Sequence, residues 1–225
     1  MTQTILTDIM GTTTPAGFVK TLMSDFEANG VQALSQPDAQ ELTATIKADA
    51  NLHTNEEVVK YLTEEIAKRN FQPEYLALIG IVNVNSFRNG QLNGEVYDDV
   101  PVALRNWKQN DKGVFTYSNG SVVSQREIFR TTRQGDLTPC ITGYFDTSEV
   151  GGKKESDSYK RISDTIEVAT TDVLFLSDMS EELDAADGAG MDVLLVAREP
   201  SRTYLGPRAE ERRRYDNIAS FLEIK

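Results

Sequence analysis

The chain has 225 residues, of which 39% are hydrophobic and 26% charged, and its formal net charge is −12. That is room for one good core with a small second unit, and the acidic balance argues against a binder of duplex nucleic acid, whose footprint is basic. No apolar run approaches the roughly 20 residues that span a bilayer, and no basic-then-apolar leader opens the sequence, so neither a membrane segment nor a signal peptide is expected.

The first strand is expected at residues 4–8, ending on Asp8 and followed by a Gly-Thr-Thr-Thr-Pro turn. Residues 17–97 read differently, as a helical insert with helices at 18–29, 37–50, 55–70 and 73–79 and no convincing strand between them. Its only histidine, His53, stands just before the third of these and reads as a surface or capping residue; a single histidine excludes a His-rich zinc site.

From residue 98 strands and helices alternate. A helix over 100–110 has Pro101 in its first turn, and a strand at 113–118 and a helix at 122–130 follow. The next strand is expected at 141–145, just past Cys140. One thiol cannot close an internal disulfide, which fits a reducing, cytoplasmic setting, and Cys140 reads as a small buried or half-buried side chain. A helix at 155–166, a strand at 173–178, a helix at 181–189 stopped by DGAG, and a strand at 192–197 complete the alternation. The tail starts irregularly, carries the mixed-charge run EERRR as a solvated face, and ends in IASFLEI, which should pack back on the core.

Short β-branched and aromatic strands alternating with helices define an α/β protein with a doubly wound, mainly parallel sheet. The expected division is a core of residues 1–16 and 98–225 and a helical cap of residues 17–97. Ligands of such sheets bind beyond the C-terminal strand ends. The sequence places Asp8, Ser118 with Asn119 and Gly120, and Asp178 there, and sets Lys153 at a helix entrance between them.

Singly these residues read as caps and turns; together they read as phosphate chemistry. Asp8 and Asp178 could hold one magnesium ion, which prefers oxygen ligands. The hydroxyl and N–H groups of YSNGS could grip phosphate oxygens at a helix N-terminus. Lys153 could neutralise phosphate charge, and Asp8 could attack phosphorus to give an aspartyl-phosphate.

The segments DIMGTTTPAGFV, VYDDVPVALRNWKQN, YSNGSVVSQREIF, GDLTPCITGYFDTSEVGGKKESDSYKRI and VLFLSDMSEELDAADGAGM follow the motif order of the haloacid dehalogenase superfamily. More closely, they resemble the enolase-phosphatase (acireductone synthase) family of methionine salvage. The resemblance implies a haloacid dehalogenase-like core with a helical cap and Mg2+ as cofactor. The substrate it implies is a small phosphorylated metabolite, a methylthio diketo phosphopentane that is enolised and then dephosphorylated.

It also implies site roles. Asp8 is the nucleophile and a metal ligand, Asp178 the last metal ligand, and the Met10 carbonyl a further ligand. Thr12, Ser118, Asn119 and Lys153 bind substrate. A monomer in the cytoplasm is expected, without nucleic-acid or membrane partners.

The chain departs from the family at Met10, in the lid stretch LIGIVNVNSFRNG and after the last strand in VAREPSRTYLG. The family carries glutamate where this chain has Met10, and that side chain moves the protons of the reaction. A second reading is therefore a protein that binds phosphorylated ligand and metal with weak or lost turnover. A third is cleavage chemistry that needs no general acid there.

Overall fold

Six short parallel strands form one sheet in the computed structural model, which describes residues 4–68, 70–198 and 209–224. They are β1 (Thr4–Thr7), β2 (Val114–Ser118), β3 (Gly143–Asp146), β4 (Val173–Ser177), β5 (Asp192–Val196) and β6 (Asn217–Ile218), in the order β3-β2-β1-β4-β5-β6. The chain moves outward from β1 to β3, then returns to start β4 on the other side of β1. The crevice at that reversal lies between β1 and β4. Five strands match expectation to within a few residues; β6 does not appear in the sequence pattern, because two residues carry no periodicity.

The central strands β1 and β4 bury both faces, and alternate residues serve different cores. Ile5, Leu174 and Leu176 join one core with Trp107, Phe129 and Phe221, while Leu6, Val173 and Phe175 join the other with Tyr159, Ile162 and Leu183. Helix α5 (Val100–Gln109) lies on the first face, where Trp107 packs on Phe221 with centroids 5.3 Å apart. The tail thus folds back as expected, with Phe221 1% exposed. Helices α8 (Ser156–Thr165) and α9 (Ser180–Gly188) cover the second face. Helix α6 (Val122–Arg130) and the short α7 (Thr147–Val150) follow β2 and β3. The charged run forms α10 (Ala209–Arg214), tied to α9 by an ion pair between Arg214 and Asp184. Residues 199–208, where the tail reads as irregular, and residue 69 lie outside the described residues.

Between β1 and α5 stand four helices: α1 (Phe18–Ala33), α2 (Pro37–Ala50), α3 (Asn55–Ala67) and α4 (Pro73–Arg88). They enclose their own apolar cluster, built from Phe26, Ile46, Val58, Leu62, Leu78 and their neighbours. Helices α1 and α4 run past their expected ends because their small and polar residues are packing devices. A Cβ on Gly30 would lie 2.8 Å from Val59, and one on Gly80 2.8 Å from Ser124, so each glycine lets another helix approach. Asn83 is buried and donates to Leu22 O and Asp25 Oδ2, both at 2.9 Å. Thr54 and Glu57 cap α3 reciprocally, and His53 stays exposed beside them. No helix among the described residues is long and apolar enough to cross a membrane.

Candidate active site

The strand register brings three of the expected residues to one edge. Thr7 is level with Thr116 on β2 and with Leu176 on β4. Asp8, Ser118 and Asp178 therefore leave the same end of three adjacent strands. Asp8 is 5% exposed, and its N–H donates to Leu176 O at 2.8 Å. The turn behind it closes on itself: the N–H groups of Thr13 and Thr14 donate to Ile9 O at 3.0 and 2.8 Å.

Lys153 reaches Asp8 from the loop between α7 and α8. Its Nζ donates to Asp8 Oδ1 and also to Glu182 Oε2 at 2.7 Å. Glu182 accepts a further bond from Ser177 Oγ at 2.8 Å. The loop is held by Tyr159, whose hydroxyl donates to Lys153 O at 2.7 Å, and by Tyr117, whose ring lies 5.7 Å from Nζ. Burial opposes the charge on Lys153, but Asp8 and Glu182 outweigh it and hold the ammonium above the ordinary lysine value. Burial pushes the Glu182 carboxyl up; Lys153 pulls it down and Asp8 adds to the rise. Lys153 moves up because two carboxylates face it, and Glu182 moves up because burial and the neighbouring Asp8 outweigh the pull of Lys153.

Asp8 Oδ2 is buried and has no hydrogen-bond partner among the described residues. An orphaned carboxylate oxygen is costly unless something else meets it. Beside it stands Asp178, 8% exposed, whose N–H donates to Thr12 Oγ1 at 3.1 Å and whose Oδ1 accepts from that hydroxyl at 3.4 Å. Thr12, expected to touch substrate, thus has its hydroxyl turned to Asp178. Gly11 has φ +91°, and a Cβ there would lie 2.3 Å from Asp178 Oδ2. Only glycine lets the turn pass that close. Hard oxygen donors, with more carboxylates than cations around them, fit a divalent cation of the magnesium type, which needs only one or two carboxylates. Among the described residues no group of three or more His, Cys, Asp or Glu is arranged to hold a metal without help from carbonyl oxygens or ligand.

The β2 end forms the other wall. Ser118 is 9% exposed and accepts from Gly120 N–H at 3.2 Å, while Asn119 is exposed. Ser121 caps α6 by accepting from Ser124 N–H. Gln125 braces the turn, donating to Gly120 O and Phe145 O, both at 2.8 Å, and accepting from Thr116 Oγ1 at 2.6 Å. Asp146 accepts from Val122 N–H at 3.0 Å and caps α7.

No family model matches the chain. Curated relatives do. An enolase-phosphatase E1 of Pseudomonas aeruginosa is 38% identical over 205 residues, covering 87% of this chain and 89% of its own. One of Sulfurihydrogenibium is 32% identical over 232 residues, covering 100% and 98%. The chain belongs to the enolase-phosphatase family. A solved structure of the unknown transcript 4 protein of Saccharomyces cerevisiae is 30% identical, covers 98% of both chains and has a TM-score of 0.75. The CbbY protein of Rhodobacter sphaeroides (16% identity, TM-score 0.60) and an L-2-haloacid dehalogenase of Xanthobacter autotrophicus (12%, 0.52) share the fold. The architecture is the haloacid dehalogenase fold, and the family is one of phosphatases.

In this member of the enolase-phosphatase family, Met10 is partly buried. It packs against the core and against a cluster of Phe18, Phe87, Leu92 and Ile128. Those residues lie where the helical insert leaves and rejoins the core, and Phe18 and Phe87 have centroids 6.4 Å apart. A thioether suits such an irregular apolar joint.

Sequence reasoning missed Glu182, Gln125 and Arg198. Arg198 is 3% exposed and donates to Thr12 O from Nε at 3.0 Å and from Nη2 at 2.8 Å. Its Nη1 bonds Asp99 Oδ2 at 2.7 Å, and its guanidinium lies over Tyr97 and Phe221. The available signal for Glu182 was its place four residues after Asp178, in the first turn of α9. For Arg198 it was a lone charge closing an apolar strand.

Proposed function

We propose that the protein is a magnesium-dependent phosphohydrolase acting through an aspartyl-phosphate on a small phosphorylated metabolite. The observation that carries this reading is the state of Asp8: one carboxylate oxygen is bonded to Lys153, and the other is buried and without a partner among the described residues. That leaves one oxygen oriented and available for attack on phosphorus.

Asp8, Asp178 and the Met10 carbonyl are the groups that would hold magnesium, which when bound neutralises charge on the transferring phosphoryl group. Lys153 orients Asp8 and adds positive charge beside it. Ser118 and Asn119 receive the remaining phosphate oxygens. Thr12, braced by Arg198, orients Asp178. Helices α1–α4 act as the cap that limits water and selects the rest of the substrate. The resemblance to the enolase-phosphatase family suggests the diketo phosphopentane of methionine salvage as the first substrate to test.

The test is phosphate release from a panel of sugar phosphates and that diketo phosphate, with and without magnesium. Release that needs magnesium and disappears in Asp8→Asn supports the reading; absence of release across the panel counts against it. A second reading, a binder without turnover, is favoured by the apolar seat of Met10. Calorimetric binding of a substrate analogue without release would select it.

A further inference from the structure

We infer that the helical insert is a fixed wall of the site, seated on helix α6, and not a lid that swings. The inference goes beyond the phosphohydrolase reading and concerns how the insert is fastened.

The seat runs the length of α6 on one side. Ser124, Glu127, Ile128 and Thr131 stand at the three- and four-residue spacing that lines one helix face. Each meets the insert or its exit. A Cβ on Gly80 of α4 would lie 2.8 Å from Ser124 Oγ, so glycine lets the two helices approach closely. Arg88, the last residue of α4, donates from Nε to Glu127 Oε1 at 3.2 Å. Glu127 is 7% exposed, and its other oxygen accepts from Arg130 Nε at 2.6 Å. Ile128 packs with Phe18, Phe87 and Leu92, all of them buried. The Gly94 N–H donates to Thr131 O at 3.2 Å and to Thr131 Oγ1 at 3.0 Å. These contacts hold about 10 Å of helix, at roughly 1.5 Å per residue.

The connections leave little freedom. A hinge needs a few residues that can change φ and ψ. A Cβ on Gly94 would lie 1.8 Å from Ile128 O, so the exit segment rests directly on the α6 backbone. Entry and exit are also bonded to each other, with the Tyr97 N–H donating to Thr13 O at 3.0 Å. Swinging the insert out would open Phe18, Phe87, Leu92 and Ile128 to water and take one guanidinium from the buried Glu127 carboxylate. Access does not require it. Asn119 is exposed beside Ser118, and Val123 and Met179 are 46% and 42% exposed with the insert seated. Because α6 follows Ser118 in the chain, the same seat keeps the insert in register with that loop.

The experiment locks the seam. In a Cys140→Ser chain, Gly80→Cys with Ser124→Cys puts two thiols across the contact of α4 with α6, within disulfide reach. With magnesium, oxidised and reduced forms should release phosphate from acetyl phosphate and from the diketo phosphate with kcat/KM within about twofold of each other. A loss of about tenfold or more on oxidation, restored by reductant, would overturn the inference. Spin labels ask the same question without turnover. Lys60→Cys on α3 and Lys160→Cys on α8, again with Cys140→Ser, label exposed positions of the insert and the core. Pulsed electron resonance should give one distance, unchanged by magnesium with orthovanadate. A second distance, free or loaded, would overturn the inference whether or not the chain is a phosphatase. If the cross-linked variant does not fold or releases no phosphate, the label distances decide alone.

Discussion

Lys153 Nζ donates to Oδ1 of Asp8, and Oδ2 of the same carboxylate is buried with no partner among the described residues. On the proposed reading, the pair divides the two oxygens between orientation and attack. It also depends on Glu182, which holds the ammonium from a third direction. A change to any of the three groups therefore alters the other two.

Asp8→Asn keeps the shape and an acceptor toward Lys153 but removes the carboxylate proposed as nucleophile. Phosphate release should fall by at least about 10³-fold, as in other nucleophile deletions. The melting temperature should stay within a few degrees of wild type, which separates lost chemistry from lost fold.

Lys153→Met leaves Asp8 and Glu182 as two buried carboxylates without their shared cation. Removing one partner of a buried pair costs about 3–5 kcal/mol. A carboxyl whose pKa is raised by burial and by a like charge binds its proton more tightly in the folded state. Stability of this variant should therefore improve as pH falls below the raised carboxyl value. Urea midpoints at pH 7.5 and 5.5 check this: the variant should lie well below wild type at the higher pH and closer at the lower one.

Arg198→Lys should not be conservative. The guanidinium makes two bonds to Thr12 O, one to Asp99 and one to Ala219 O, and lies over two rings. An ammonium cannot reproduce that fork. Arg198→Ala should lower stability as well, because Asp99 loses its cation and keeps only the Phe221 N–H and the Ser220 hydroxyl. Both variants should lower kcat, because the Thr12 carbonyl loses its brace and with it the hold on Asp178.

Burial would raise the Asp99 pKa, but Arg198, the Phe221 N–H and the Ser220 hydroxyl outweigh it and hold the carboxyl below its ordinary value. The folded pKa is thus lower than the unfolded value of about 3.9. The stability Asp99 contributes is fully present above that unfolded value and is lost as pH falls through the lower folded one. Asp99→Asn should show a shallower loss of stability between about pH 4.5 and 2.5 than wild type, measured by urea midpoint.

Gly11→Ala places a Cβ at φ +91° and against the Asp178 carboxylate. Backbone strain alone costs about 1–3 kcal/mol. The displaced carboxylate should weaken magnesium binding as well, read as a raised magnesium concentration for half-maximal rate.

The fold was legible because the core strands are short, branched and separated by recognisable helices. Asp8, Ser118, Lys153 and Asp178 stand out in sequence order at strand ends and a helix entrance, and the strand register gathers three of them at one edge. Other features were not legible, for definite physical reasons. Gly30 and Gly80 look like helix stops but are close-packing contacts between helices. Asn83 looks like a turn residue but satisfies buried groups across two helices. Asp99 looks like a helix cap, yet its carboxylate binds Arg198 and the tail, a contact spanning 99 positions that no local pattern carries. Glu182 looks like one more acid on a helix until Lys153 is placed against it.

The central claim is that Asp8 carries the phosphoryl group. Rapid-quench labelling with radiolabelled acetyl phosphate tests it most directly. With magnesium, wild type should trap an acid-stable, hydroxylamine-sensitive phosphoryl label on the peptide containing Asp8, and Asp8→Asn should trap none. Undiminished phosphate release by Asp8→Asn, with no label on that peptide in wild type, would contradict it.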